Sequence, residues 1–229
     1  MSQSNWTMVE DWLKNDDRCV LPLGCTEQHA YLSLATDSIL AERLSLEAAE
    51  PLGVPVFPVI AYGVTPMFTA YPGTVSLSMK TYMALLDDIL TGLVQQGFSK
   101  ILIVNGHGGN TPARTFVAEF VAKTAGVTIV WHDWWNSASV SQVVQSIDPV
   151  ASHASWMENF TFTRISGAPT PVGSKPLFDF AKHRTSHPSM VRADLEDGNC
   201  GGVYEKDDEA MARIWNAGVR ETRTLLMNL

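Results

Sequence analysis

The chain has 229 residues, a formal net charge of -8, 45% hydrophobic and 17% charged residues, values of an ordinary globular protein and not of a disordered one. The acidic balance, with no Lys/Arg-rich run, excludes nucleic acid as a charge-selected partner, and the apolar stretches are too short to span a bilayer. Its three cysteines, Cys19, Cys25 and Cys200, form no CxxC pair, and the polar, acidic N-terminal segment does not read as a signal peptide; both point to a reducing cytoplasm without a zinc–thiolate site.

In chain order, an apolar run at residues 19–23 predicts a buried strand, and apolar residues at helical spacing predict a helix over about 37–50. A second strand is predicted at 54–60, rich in Val and Ile, then a helix over about 78–97. Strands follow at 101–104 and 127–131, separated by a helix over about 111–125. Strand and helix alternating over this length predict an α/β fold with a largely parallel sheet. Residues 136–202, rich in Ser, Pro, Gly and His, read as loops and short helices forming the walls of a site. A helix over 207–226 closes the chain. With no repeat and no low-complexity linker, a single domain is expected.

The chemistry gathers where strands end. After the first, Gly24-Cys25-Thr26-Glu27-Gln28-His29 falls at the carboxyl edge of the sheet, where ligands bind in parallel α/β folds. In extended chain Glu27 and His29 point the same way, and Asp37 follows at the start of a helix. Two oxygen donors and a nitrogen there suit zinc or manganese, although Asp37 also reads as a plain helix N-cap. After the strand at 101–104 comes Asn105-Gly106-His107-Gly108-Gly109-Asn110. These glycines allow a sharp turn close to a ligand; phosphate binding is the alternative, but neither GxGxxG nor GxxxxGK[ST] is present.

His153 and Glu158 form a third group, five apart, which as surface residues would carry no function. His132 and Asp133 end the fourth strand beside Trp134 and Trp135, where core packing or a substrate wall explains the tryptophans equally well. His183 and His187 read as structural.

Taken together, the segments Leu21 to His29 with Asp37, Tyr71-Pro72-Gly73-Thr74-Val75-Ser76-Leu77, and Asn105 to Asn110 resemble the creatininase family of amide hydrolases, with weaker likeness at His153-Ala154, Glu158 and Gly202-Val203. The resemblance implies a three-layer α/β/α sandwich carrying two divalent metal ions, zinc or manganese. Glu27, His29, Asp37, His107 and Glu158 would be the ligands, with Asp37 bridging. It also implies a small-molecule amide as substrate and a homo-oligomer, a hexamer by default. Metal ions make water ionise near neutral pH and polarise the amide carbonyl. A histidine must protonate the leaving nitrogen; His153 is the candidate and His132 the reserve. Ser76, Gly108, Phe68, Trp156 and Trp134 are the expected substrate contacts.

Three departures bear on specificity. Where creatininase proper has an aromatic residue and a glutamate after the histidine, this chain has Gly108 and Gly109. Thr65-Pro66-Met67-Phe68 and Ser155-Trp156 stand where relatives often carry acidic, histidine or glycine residues. A more apolar pocket and poor action on creatinine follow. The other readings are a formamide hydrolase or small-peptide peptidase on the same scaffold, or a metal-binding protein without turnover.

Overall fold

Three short apolar runs, each emptying into a polar turn, make the centre of the molecule: β1 (Arg18–Leu23), β2 (Lys100–Asn105) and β3 (Thr128–Asp133). They pair in parallel in the order β1-β2-β3, with Val20 opposite Leu102 and Leu102 opposite Val130. The structure, a computed structural model, describes residue 1 and residues 4–229.

The helices are α1 (Trp6–Leu13), α2 (Thr36–Ala49), α3 (Met79–Gln95), α4 (Arg114–Lys123), α5 (Ala138–Ile147), α6 (Phe180–His183), α7 (Pro188–Leu195) and α8 (Asp208–Met227). Because side chains alternate across a strand, the sheet feeds two cores. Val20, Leu102 and Val104 face Leu40 and Leu44 of α2, Val140 of α5 and Ile214 of α8. Leu21, Ile101 and Ile103 face Tyr82, Leu86 and Leu90 of α3 and Val117 of α4. Each such fully buried aliphatic side chain contributes about 1.5–3 kcal/mol relative to exposure. The result is the three-layer α/β/α sandwich expected. Helix starts are fixed by caps of about 1 kcal/mol each: Ser78 accepts from the Thr81 amide, and Asp207 from that of Ala210.

Three segments differ from the sequence expectation. Residues 54–60 lie along β1 and bond to it through Val20, Pro22 and Gly24, yet make only isolated bridges, Val20 to Val56 and Leu23 to Ile60. Pro55 and Pro58 carry no N–H, so a continuous ladder is impossible. The helix expected from 111 begins at Arg114, after a 3-10 turn over Gly108–Ala113 that contains Pro112. And within the stretch expected to hold loops and short helices, α5 was not located: its Val140, Val143, Val144 and Ile147 have helical spacing among serines, and Val140 and Val144 are buried. A small antiparallel pair, β4 (Ser174–Lys175) with β5 (Gly202–Val203), ties down the later loops. Phe68, Tyr71, Val191, Leu195 and Cys200 form a satellite core beneath them. Among the described residues, no helix is long and apolar enough to cross a membrane.

Candidate metal centre

Two strand ends and one helix start converge. Past β1, Gly24 lets the chain skirt α2: a Cβ there would lie 2.5 Å from the Ser38 Cα. Cys25, Glu27 and His29 then follow at every second position, all fully buried. Asp37 is not the N-cap of α2; that position is Ala35, without a side-chain cap. Asp37 sits inside the first turn instead, buried, its carboxylate free for another task. At the end of β2, Asn105 grips both sides of His107, accepting from its amide (3.2 Å) and donating to its carbonyl (2.8 Å). Asn105 is held in turn by Asp133 at 2.7 Å. Glu158 closes a 3-10 turn and accepts from the Ala154 amide at 2.6 Å. Ala154 has φ +59°, a left-handed conformation that costs a non-glycine residue about 1–3 kcal/mol and clusters at functional sites.

The side chains meet in an order that centres on Asp37. Its Oδ1 is 3.0 Å from His29 Nε2, and its Oδ2 is 2.9 Å from His107 Nδ1. His107 Nδ1 is also 3.0 Å from Glu27 Oε2, and His29 Nε2 is 3.8 Å from Glu158 Oε2. The other nitrogen of each ring faces a backbone carbonyl at 3.1 Å, Glu27 O for His29 and Val64 O for His107. In the neutral form that a bound cation requires, each imidazole gives its one N–H to that carbonyl, so a lone pair points at the carboxylates. Lone pairs then face lone pairs: Glu27 Oε1 and Oε2, His29 Nε2 and Asp37 Oδ2 are buried without a hydrogen-bond partner. Each such group costs about 1–3 kcal/mol unless something positive satisfies it.

Charge tells the same story. Burial pushes the Glu27 carboxyl up to about 7. Burial alone would lower His29, but Asp37 and then Glu158 outweigh it and lift the ring to about 10. Burial also opposes charge on His107, and Glu27 and Asp37 override it and hold that ring well above its ordinary value. Asp37 is buried as well, yet His29 and His107 keep it below the usual carboxylate range. The carboxylates thus draw positive charge into the cluster, as protons on the rings or as a cation in their place. Its potential ligand atoms fall into two groups, each with all members within 4.8 Å of one another: Cys25, Glu27, Asp37 and His107, and His29, His153 and Glu158. Carboxylate and imidazole donors at these separations fit zinc or manganese.

His153 is more deeply involved than a separate acid. Its Nε2 is 3.5 Å from Glu27 Oε1, and its ring stacks on Phe68 at 5.0 Å and 10°. Burial first, then His29, push its pKa well below the usual value, so the ring is neutral. His132, the reserve candidate, turns away from the site to Thr222 of α8 at 3.1 Å and does not line the cavity.

The tryptophans expected as walls lie in the core. Trp156 is fully buried, its Nε1 donating to Val150 O at 2.9 Å, and Trp134 packs edge-on to Trp215. Ser76 is occupied in its own loop, accepting from the Thr65 amide and donating to Leu77 O. Gly108 and Phe68 do line a cavity of about 810 Å³, with Glu27, Asp37, His107, His153 and Glu158. Its apolar walls include Trp135, for which a substrate wall is one of two equal expectations, and three residues that carry no signal in the sequence, Met157, Phe178 and Phe180. Cys25 was also passed over as a donor, although the two-residue alternation that pairs Glu27 with His29 extends back to it.

The family model for creatininase, creatinine amidohydrolase, matches residues 2–226. The chain belongs to the creatininase family. Among curated members, it is 36% identical over 101 residues to a mycofactocin precursor peptide peptidase of Mycolicibacterium smegmatis, covering 41% of this chain and 40% of that one. Creatinine amidohydrolase of Pseudomonas putida is 26% identical over 171 residues, 65% of each chain. A 3-dehydro-scyllo-inosose hydrolase of Thermotoga maritima is 30% identical over 102 residues, 44% of this chain and 33% of that one. The matched segments thus span from a third to just under two thirds of these relatives. Among creatininase structures, a putative creatinine amidohydrolase from Bacteroides fragilis superposes with TM-score 0.76 at 25% identity, covering 98% of this chain and 93% of that one. Solved creatininases include a manganese form (TM-score 0.74, 18% identity, 100% and 97% coverage) and a variant in a zinc–zinc form (0.75, 18%, 100% and 96%).

Proposed function

We propose that this chain is a metal-dependent hydrolase of a carbon–nitrogen bond in a carboxamide bearing an apolar or aromatic group. The observation that carries the reading is Asp37, whose two oxygens face the lone pairs of two different histidines. Glu27, Asp37 and His107 would hold one divalent cation, and His29, Asp37 and Glu158 a second, zinc or manganese as in the solved relatives. Such cations supply Lewis acidity, letting water ionise near neutral pH and polarising the scissile carbonyl.

The chain's own residues do the rest. Neutral His153, whose Nε2 faces the Gln28 carbonyl at 3.0 Å, is placed to relay a proton from the attacking water to the leaving nitrogen. The Gln28 side-chain Nε2, 2.8 Å from His153 Nε2, helps to orient the ring, and Phe68 stacks on it. Trp135, Phe178 and Phe180 offer surfaces for an apolar substituent. Pockets of ~300–1,000 Å³ enclose drug-sized ligands, so this one suits a molecule larger than creatinine. The same size, with the peptidase relative, favours a small peptide as the second reading. Free, buried cysteines accord with a reducing cytoplasm.

The test compares kcat/KM for creatinine with a panel of aromatic and aliphatic carboxamides and short peptides, with zinc or manganese saturating. Two aromatic contacts of about 0.5–1.5 kcal/mol each give a preference of roughly tenfold or more for aromatic amides. Creatinine as the best substrate would overturn the pocket reading. Binding of cations without any metal-dependent hydrolysis would leave a metal-binding protein.

A further inference from the structure

A lone cysteine and the absence of any CxxC pair argue from sequence against a thiolate site. The fold gives Cys25 a different standing. It is fully buried, two residues before Glu27 on the same extended segment, and its Sγ belongs to one compact donor group with Glu27, Asp37 and His107. Independently, both Glu27 oxygens and Asp37 Oδ2, buried in that group, have no hydrogen-bond partner. Cys25 does not line the cavity, whereas Glu27, Asp37 and His107 do; the sulfur therefore approaches from the protein side. Donors on one tetrahedral ion with bonds of ~2.0–2.3 Å stand roughly 3.3–3.5 Å apart, within the spread of this group.

We propose that Cys25 Sγ is the fourth donor to the cation held by Glu27, Asp37 and His107, and that it makes that position selective for zinc. This rests on the two-cation reading above. One sulfur, one nitrogen and two oxygens complete a tetrahedron, the geometry zinc takes in closed sites. The second position, His29, Asp37 and Glu158, offers only nitrogen and oxygen, donors that accept manganese as readily. The two positions are thus chemically unlike, with a soft donor on one side of Asp37 and none on the other. On binding, the sulfur–metal bond forms as the thiol proton passes to buffer, with no change of oxidation state.

Cobalt(II) separates the possibilities, because thiolate ligation adds a sulfur-to-cobalt charge-transfer band in the near ultraviolet to the visible d–d bands. The metal-stripped full chain, titrated with cobalt, is expected to show that band with the first equivalent. Cys25→Ser and Cys25→Ala should lose it and keep d–d bands, while Cys19→Ser, altered in the core between sheet and helices, should retain it. In competition assays, Cys25→Ser should lower zinc affinity by roughly tenfold or more and manganese affinity by less than about threefold, as the loss of a soft donor requires. Cobalt d–d bands in the wild-type protein without the charge-transfer band would overturn the Cys25 assignment and leave the two-cation reading standing. No cobalt binding at all would overturn both.

Discussion

Replacing Gly109 by alanine probes the centre through a single methyl group. A Cβ at this position would overlap the Val64 carbonyl oxygen and stand 2.5 Å from His107 Nε2. That carbonyl is the one that accepts the His107 N–H, so steric relief must come by moving the partner that fixes the ring. Overpacking of this kind costs about 1–3 kcal/mol, and the lost hydrogen bond about 0.5–1.5 kcal/mol more. The expected total, roughly 2–4 kcal/mol, corresponds to a drop of about 5–15 °C in Tm for a chain of this size. A ligating histidine deprived of its outer partner loses ~10–100-fold in metal affinity. Gly108→Ala is the control. There a Cβ meets only Trp135 Cζ2, at an ordinary 3.9 Å, and the substitution should be neutral or stabilising by up to about 1 kcal/mol. The assays are thermal unfolding of the stripped proteins and zinc titration by calorimetry. Gly109→Ala with unchanged Tm and zinc affinity would refute the idea that the Val64 carbonyl sets the His107 ring. The same crowding predicts that Gly109→Glu, which restores the residue type of creatininase proper, damages the site and confers no creatinine hydrolysis.

If Asp37 serves both proposed cation positions, Asp37→Asn should reduce bound zinc from about two ions per chain to below one; full metal content by elemental analysis would contradict it. Trp156→Ala should destabilise the fold by about 3–5 kcal/mol while leaving the ratio of kcat/KM for aromatic over aliphatic amides unchanged, since the side chain is buried in the core; a changed ratio would return it to the pocket. The metal-stripped protein should lose stability from pH 7 to pH 10. His29, raised from 6.5 to about 10, and His107, raised likewise, contribute fully below their unfolded value and lose that contribution as pH climbs through the folded one. Zinc replaces those protons, so the loaded protein should show a flatter Tm profile; a stripped protein equally stable at both pH values would refute the electrostatic account.

The central layers were legible because β1, β2 and β3 are unbroken apolar runs and the helices between them keep a clean period. Glu27 with His29 could be paired from strand alternation alone. That Asp37 faces both histidines could not, since it depends on where α2 lands against the turn after β2, a contact between residues 70 apart in the chain. Trp156 and Trp134 were misread for a related reason. A tryptophan near a site carries no local signal saying whether it points into the cavity or away, and here 3-10 turns aim both into the helix-side core. Phe68 was legible beside the Pro-Gly-Thr segment, whereas Phe178 and Phe180, which line the same cavity, lie in a segment without periodicity, positioned by the β4–β5 pair and the satellite core.

Of the two prolines that interrupt the ribbon beside β1, Pro58 has a consequence for life at high concentration. This ribbon flanks the parallel sheet at its β1 side, where a regular strand would present a row of free amides to any other extended chain. Exposed edges of that kind recruit foreign strands and seed aggregation. Pro58 has no amide to offer, and the Val56 carbonyl already accepts from the Met1 amino group at 2.8 Å, so the row is broken and cannot template a ladder. Substituting Pro58 with a residue such as threonine would smooth the ribbon toward a recruitable edge, so the irregularity that keeps this segment from being the regular strand its composition predicts also guards the sheet against its own kind.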